Sequence, residues 1–133
     1  MGRRAFAITT AFLGIALLLW SVPGAAKCGI KNGARVALYG SFGDPDVFVW
    51  ESRFRLEAYQ TGTLDARDSL MPHARLAPPA TRAVVLGCVQ NYVHPKYVST
   101  LDDAVYIKLL GGDYRGQTGW VMSSDLRVVL SRR

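Results

Sequence analysis

The fold is decided by residues 104–126, which read AVYIKLLGGDYRGQTGWVMSSDL. Apolar side chains occupy alternate positions from Val105 to Leu109 and fall on one face, while Tyr106 and Lys108 fall on the other. This period of two is typical of a half-buried strand. Four glycines then break the run and allow the positive φ values that a reversing chain needs. The succession of strand, glycine-rich turn, strand, short polar turn and strand predicts the closing section of a small β-barrel.

Three further strands are expected upstream of this section. Residues 34–39 alternate between apolar and polar side chains, and residues 47–50 and 83–89 are rich in β-branched and other apolar side chains. Residues 47–50 are apolar at every position, so we expect that strand to be covered on both faces.

The segments between these strands have weaker patterns. Residues 51–60 fit both strand and helical spacing, and we favour a strand. Residues 61–69 are polar and predict a loop, and residues 90–103 predict an irregular connection. Three prolines between residues 72 and 79 predict an extended passage that cannot pair as a central strand. Five or six short strands without amphipathic helices predict an all-β barrel or sandwich.

Two short motifs are similar to those of a known family. The sequence GWV at residues 119–121, followed by SSDL at residues 123–126, resembles the end of bacterial SH3-like domains. Residues 76–86 resemble the hydrophobic, turn, hydrophobic-strand pattern of the same family. The resemblance covers about half of the chain. It implies an SH3-like barrel of five to six short strands that binds a cell-wall or envelope ligand.

The amino terminus has the pattern of an export signal. A positively charged start is followed by an almost unbroken apolar run over residues 5–22 and then by small residues. We expect cleavage between Ala26 and Lys27, which leaves a single domain over residues 27–133. The alternative is an uncleaved anchor, since the run approaches the roughly 20 residues that span a bilayer. With cleavage, the protein is periplasmic or extracellular and has no membrane span.

Cys28 and Cys88 are the two cysteines of the chain. An even count in a small exported domain predicts one disulfide between them. Cys88 shares parity with Val84 and Leu86, so we expect its side chain to point into the core. The alternative is a pair of free thiols, one exposed and one buried.

Size and charge limit the classes of partner. The 107 residues that remain after cleavage suffice for one hydrophobic core, and a monomer is expected. The formal charge of +6 falls to +4 when Arg3 and Arg4 are removed. No basic block interleaved with aromatic residues is present, so we expect no nucleic-acid partner. The positive balance is compatible with an anionic envelope surface.

No arrangement of residues predicts catalysis, a metal site or a cofactor. Cys88 and His94 are six residues apart, but an inward-facing, oxidised cysteine cannot act as a nucleophile. His73 and His94 lack metal-ligand spacing to acidic neighbours. Nothing in the sequence singles out a glycosidase pair among four carboxylates. These are Glu51, Glu57, Asp102 and Asp103.

Binding by aromatic side chains is the more plausible activity. Residues 37–39, ALY, resemble the start of the ligand-binding loop of eukaryotic SH3 domains, but Gly40, Met122 and Asp125 occupy positions where that groove needs other residue types. We therefore do not expect binding of proline-rich peptides. The candidate ligand-binding residues are aromatic. They are Tyr39, Trp50, Tyr97, Tyr114 and Trp120.

Three hypotheses follow for the function. The first is a non-catalytic module that binds peptidoglycan, a peptide or an envelope protein. The second is a structural or inhibitory envelope protein that adds an edge strand to its partner. The third is a small cysteine-dependent hydrolase, for which the sequence gives the least support.

Overall fold

A computed structural model describes residues 28–40, 45–95 and 99–130. This part of the chain forms one curled antiparallel sheet of seven strands, in the order β3-β2-β6-β5-β4-β1-β7. The strands are β1 Arg35–Leu38, β2 Val47–Trp50, β3 Ala74–Ala77, β4 Thr81–Val93, β5 Asp102–Leu109, β6 Thr118–Met122 and β7 Leu126–Val128. Between β2 and β3 lie two α-helices, α1 Arg53–Thr61 and α2 Leu64–Leu70, and a 3₁₀ turn, Met71–His73. A second 3₁₀ turn, Ser123–Asp125, precedes β7.

The sheet has a core face and an outer face. Alternate residues of β1, β2, β5 and β6 are fully buried on the core face, among them Val36, Val49, Ile107 and Val121. The alternation that was predicted for residues 104–110 is confirmed, because Val105, Ile107 and Leu109 are buried while Lys108 is exposed. The all-β prediction is therefore confirmed for the sheet, which has more strands than the five or six expected.

Helix α1 covers one end of the outer face. Leu56 of α1 is buried against a second apolar cluster that includes Trp50 and Met122. Within the described ranges, no helix combines the length and the apolar composition required to cross a bilayer.

Residues 51–60 do not form the strand that was predicted. The Ser52 side chain accepts a hydrogen bond from the Arg55 backbone N–H at 3.2 Å, which satisfies one of the unpaired donors at the start of α1. The segment is therefore helical, but the residue that it buries is Leu56, whereas Phe54 is 68% exposed.

Residues 61–69 were predicted as a loop, and most of them form α2. Thr63 caps this helix by accepting a hydrogen bond from the Ala66 backbone N–H at 3.4 Å. Arg67 then donates from Nε to the Tyr59 carbonyl at 2.9 Å and lies over the Tyr59 ring, which joins α2 to α1. These contacts are tertiary, and a polar sequence does not reveal them.

The passage that contains the three prolines does not pair as a central strand, as predicted, but Pro72 lies in the 3₁₀ turn Met71–His73 and not in extended chain. Strand β3 lies at the edge of the sheet and pairs only with β2. The prediction of an irregular connection over residues 90–103 is wrong at both of its ends. Strand β4 continues to Val93, and β5 already begins at Asp102. The extra length of β4 is accompanied by two irregularities in its register with β5, the second between Val89 and Val93.

The first irregularity of β4 corrects the parity argument for Cys88. Val85 pairs with Ile107 but Gly87 pairs with Tyr106, so β4 carries one extra residue at this point. Upstream of this bulge the core-facing residues are Ala83 and Val85, not Val84 and Leu86. The bulge reverses the alternation, and Cys88, which pairs with Val105, packs half-buried against the core.

Cys28 and Cys88 form the predicted disulfide, with their Cα atoms 6.3 Å apart. The bond attaches the segment before β1 to the middle of β4. The predicted export signal, its cleavage site between Ala26 and Lys27, and Tyr97 lie outside the described residues.

Gly119 is required by the close approach of β2 to β6. A Cβ atom at this position would lie 2.5 Å from Val49 Cγ1 and 2.8 Å from the Trp50 carbonyl oxygen. Gly119→Ala is therefore expected to lower the free energy of unfolding by about 1–3 kcal/mol, because the core must shift to accept the methyl group. Denaturant unfolding measures this change. Gly111→Ala is the matched control, since a Cβ there meets no atom within 4 Å. Equal stabilities of the two variants would contradict the prediction.

Candidate functional site

The five aromatic candidates occupy different environments. Tyr39 directly follows β1 and is 39% exposed, and Tyr114 lies in the β5–β6 turn and is 37% exposed. Trp120 is half-buried on β6. Trp50 is only 1% exposed, so its assignment as a ligand-binding residue is wrong: it is a core residue beneath α1.

Trp120 forms an aromatic shelf with Tyr106 on the outer face. The two residues are cross-strand partners in β6 and β5, and their rings stack with centroids 5.0 Å apart and planes inclined by 30°. The Tyr106 hydroxyl donates a hydrogen bond to Thr118 Oγ1 at 2.8 Å, which fixes the orientation of its ring. We call these three residues the aromatic shelf. Tyr106 and Trp120 both remain partly exposed.

The shelf has a firm support on the side of β2. Trp50 is the cross-strand partner of Trp120 and lies with its ring centroid 4.8 Å from that of Tyr59 in α1. Phe48 contacts the same Tyr59 ring edge-on at 5.6 Å. These buried or half-buried rings hold β6 in place, so the Trp120 side chain is attached to a rigid part of the sheet.

On the side of β4, the bulge leaves the shelf open. Leu86 and Gly87 together face Tyr106, and Gly87 offers no side chain to cover the ring. Leu86 is 42% exposed and adds an apolar surface beside it. A ligand can therefore approach Tyr106 from this direction.

Four cations continue the outer face beyond the shelf. Lys108 pairs across strands with Val84, which in turn pairs with Arg35. Ala37 pairs with Arg82 on one side and with Arg127 on the other. We call these two sets of partners, Lys108–Val84–Arg35 and Arg82–Ala37–Arg127, the basic rows. Their four cationic side chains are all exposed.

The basic rows contain no acidic residue. Among the described residues, Glu51 forms an ion pair with Arg55, and the Nδ1 atoms of His73 and His94 lie 3.2 Å and 2.9 Å from carboxylate oxygens of Glu51 and Glu57. None of them involves a cation of the basic rows. Arg127 donates from Nη1 to the Ser124 and Leu126 carbonyl oxygens, which are neutral acceptors.

No protein-family model matches this chain, and no curated protein and no solved structure matches it.

The described residues bear on two of the alternative chemistries, a cysteine nucleophile and a metal site. Cys88 is bonded to Cys28 and so has no free thiol for nucleophilic attack. Their sulfurs and an Asp103 carboxylate oxygen lie within 4.8 Å of one another, but thiolates, not disulfide sulfurs, are the metal ligands of proteins. His94 Nδ1 lies 2.9 Å from Glu57 Oε1, which ties the end of β4 to α1.

Of the predicted site residues that the structure describes, the sheet brings only Trp120 into the shelf. Tyr106 and the cations of the basic rows were missed as site residues. The alternation over residues 104–110 did place Tyr106 and Lys108 on one face, so that signal was available. Which strands lie beside them depends on the sheet order, and a single strand does not reveal it.

Proposed function

We propose that this protein is an exported, non-catalytic module that binds a cell-envelope ligand on its aromatic shelf. The observation that carries the proposal is the stack of Tyr106 and Trp120 on a rigid strand pair. Both side chains stay partly exposed, although Trp120 also packs against the apolar cluster of Trp50 and Leu56. An aromatic pair of this kind presents a large contact area that loses little conformational entropy on binding. The apolar faces of sugar rings pack well against such a surface.

Two features support an export destination for the proposed module. The first is the amino-terminal pattern of charge, apolar run and small residues, which is typical of a secretory signal. The second is the disulfide between Cys28 and Cys88, a bond that persists in oxidising compartments and is rare in the cytosol. In the envelope, the abundant ligand with stackable sugar rings is peptidoglycan.

Co-sedimentation with purified peptidoglycan tests the proposal. We expect the mature protein to sediment with the polymer and Trp120→Ala to bind on the order of tenfold more weakly, because truncating an aromatic anchor removes most of its contact area. Trp120→Phe should retain part of the affinity. Circular dichroism and thermal melting establish that each variant is folded before it is assayed.

Tyr114→Ala is the matched control for Trp120→Ala. Tyr114 is an exposed aromatic residue in the β5–β6 turn, outside the shelf, so this variant should bind like the wild type. If the two variants bind equally well, the shelf is not the binding site. If the wild type does not sediment with peptidoglycan, the ligand class is wrong.

A second candidate function is edge-strand pairing with an envelope protein. Strands β3 and β7 each have one neighbour, and exposed apolar side chains lie on both, Leu76 on β3 and Val128 on β7. A pull-down from envelope extract would favour this function over the first if it returned one stoichiometric protein. Placing a charge on the edge strand, by Val128→Lys or Leu76→Lys, should then abolish the capture.

A further inference from the structure

We infer that the ligand held on the shelf carries carboxylate groups, which lie over the basic rows while its rings stack on Tyr106 and Trp120. This inference rests on the function proposed above and specifies the chemistry of its ligand. It commits to one occupant, a glycan polymer that bears carboxylates.

The shelf and the basic rows form one continuous surface. Lys108 lies two residues after Tyr106 on β5 and on the same face, a separation of about 7 Å along a strand. Lys108 also pairs with Thr118 of the shelf. Arg82 is a diagonal neighbour of Lys108 across β4 and β5, at about 7–8 Å, within reach of long side chains. A ligand a few sugar rings long can therefore touch the shelf and the cations together.

Within the described residues, no ion pair involves these cations. Exposed charges on a soluble protein are ordinarily interspersed in sign, whereas the basic rows contain four cations and no carboxylate. Like charges on neighbouring strands repel one another, so this arrangement opposes folding slightly. An anionic ligand removes that repulsion on binding, and the charge complementarity is the reason for assigning one.

Edge protection does not explain the central cations. Lysine and arginine on an edge strand prevent edge-to-edge pairing, and this explanation suffices for Arg127 on β7. Lys108 and Arg82 lie on β5 and β4, which have neighbours on both sides. Their charges have no such role within the sheet.

Chemical modification of the polymer tests the inference without altering the protein. The carboxyl groups of purified peptidoglycan can be converted into neutral amides by carbodiimide coupling to ethanolamine, which leaves the sugar rings unchanged. We expect the mature protein, with its disulfide intact, to bind the amidated polymer roughly tenfold more weakly than the native polymer. We also expect binding to native polymer to weaken at about 1 M salt, where charge interactions are screened beyond about 3 Å.

Matched variants locate the effect on the protein. Lys108→Gln combined with Arg82→Gln should weaken binding to native polymer roughly tenfold, because each exposed ion pair with the ligand contributes about a few-fold in affinity. The same double variant should bind amidated polymer as well as the wild type does. Lys31→Gln, at an exposed cation that precedes β1, should change neither. The tested substitutions replace exposed side chains, and thermal melting checks that each variant is folded.

The outcomes separate the inference from the function on which it rests. If the wild type binds native and amidated polymer equally well and only Trp120→Ala weakens that binding, the inference is overturned and the shelf remains a glycan site. Failure of the wild type to bind either polymer overturns both. Tighter binding to a single-stranded thymidine oligonucleotide than to peptidoglycan also overturns the inference, since bases and phosphates would then be the preferred ligand.

Discussion

Replacing both cysteines, by Cys28→Ser and Cys88→Ser, is expected to lower the free energy of unfolding by about 4 kcal/mol at most. The bond closes a loop of 60 residues, and in the chain-entropy model the stabilisation comes from restricting the unfolded chain. For a small domain whose total stability is about 5–15 kcal/mol, this is a large fraction. Denaturant unfolding of the oxidised wild type and the double variant measures the difference.

Reduction of the wild type provides the matched control for this prediction. In the presence of a dithiol reductant, the wild type should become about as unstable as the double variant, and the variant should not respond to the reductant. The loss should also loosen the segment before β1, which two backbone hydrogen bonds would then attach to β4: one from Gly33 N–H to the Val85 carbonyl at 2.7 Å and one from Val85 N–H to the Ala34 carbonyl at 3.0 Å. A double variant as stable as the oxidised wild type would contradict the prediction.

Strands could be predicted where local alternation and burial agree. From Val105 to Leu109 the side chains alternate between the core face and the outer face, and Gly111 and Gly112 mark the downstream flank. The 3₁₀ turn at Ser123–Asp125 and the strand after it were predicted for the same reason, since short polar side chains suit a tight turn. In these cases the sequence pattern and the tertiary environment require the same residues.

Helix α1 could not be assigned because its segment satisfies two periods at once. Phe54, Leu56 and Ala58 fit a strand, while Trp50, Phe54 and Ala58 fit a helix. The segment is a helix, but neither pattern marks its buried face, since Leu56 is buried and Phe54 is 68% exposed. Ser52 at the capping position was the local signal that could have decided the question. The remaining support for α1 is its packing on the outer face, which requires the order of the strands to be known.

The candidate site depends on non-local register. Trp120 was predicted from its place beside a turn, but its stacking partner Tyr106 is known only once β5 and β6 are paired. The cations of the basic rows are distant in sequence, and a bulge in β4 shifts the alternation between Val85 and Gly87. A shift of one residue moves every later side chain of a strand to the opposite face, so periodicity alone cannot place them.

Trp50→Ala is expected to lower the free energy of unfolding by about 3–5 kcal/mol, because it removes a large buried side chain and leaves a cavity. Trp50 is 1% exposed, its ring centroid lies 6.0 Å from that of Phe48 and 4.8 Å from that of Tyr59, and it packs in the cluster that holds α1 on the sheet. Denaturant unfolding measures the loss.

Trp120→Ala is the matched comparison for Trp50→Ala, because Trp120 is the cross-strand partner of Trp50. The comparison separates a core tryptophan from a ligand-binding tryptophan. Trp120 is only half-buried, so its truncation should cost less stability than that of Trp50, since less apolar area returns to water. At a temperature where both variants are folded, peptidoglycan binding should be weakened more by Trp120→Ala, which removes a contact with the ligand, than by Trp50→Ala, which removes only support for the shelf. If Trp50→Ala instead kept its stability and lost its binding, Trp50 would be a ligand-contacting residue and the assignment of the two tryptophans would have to be reversed.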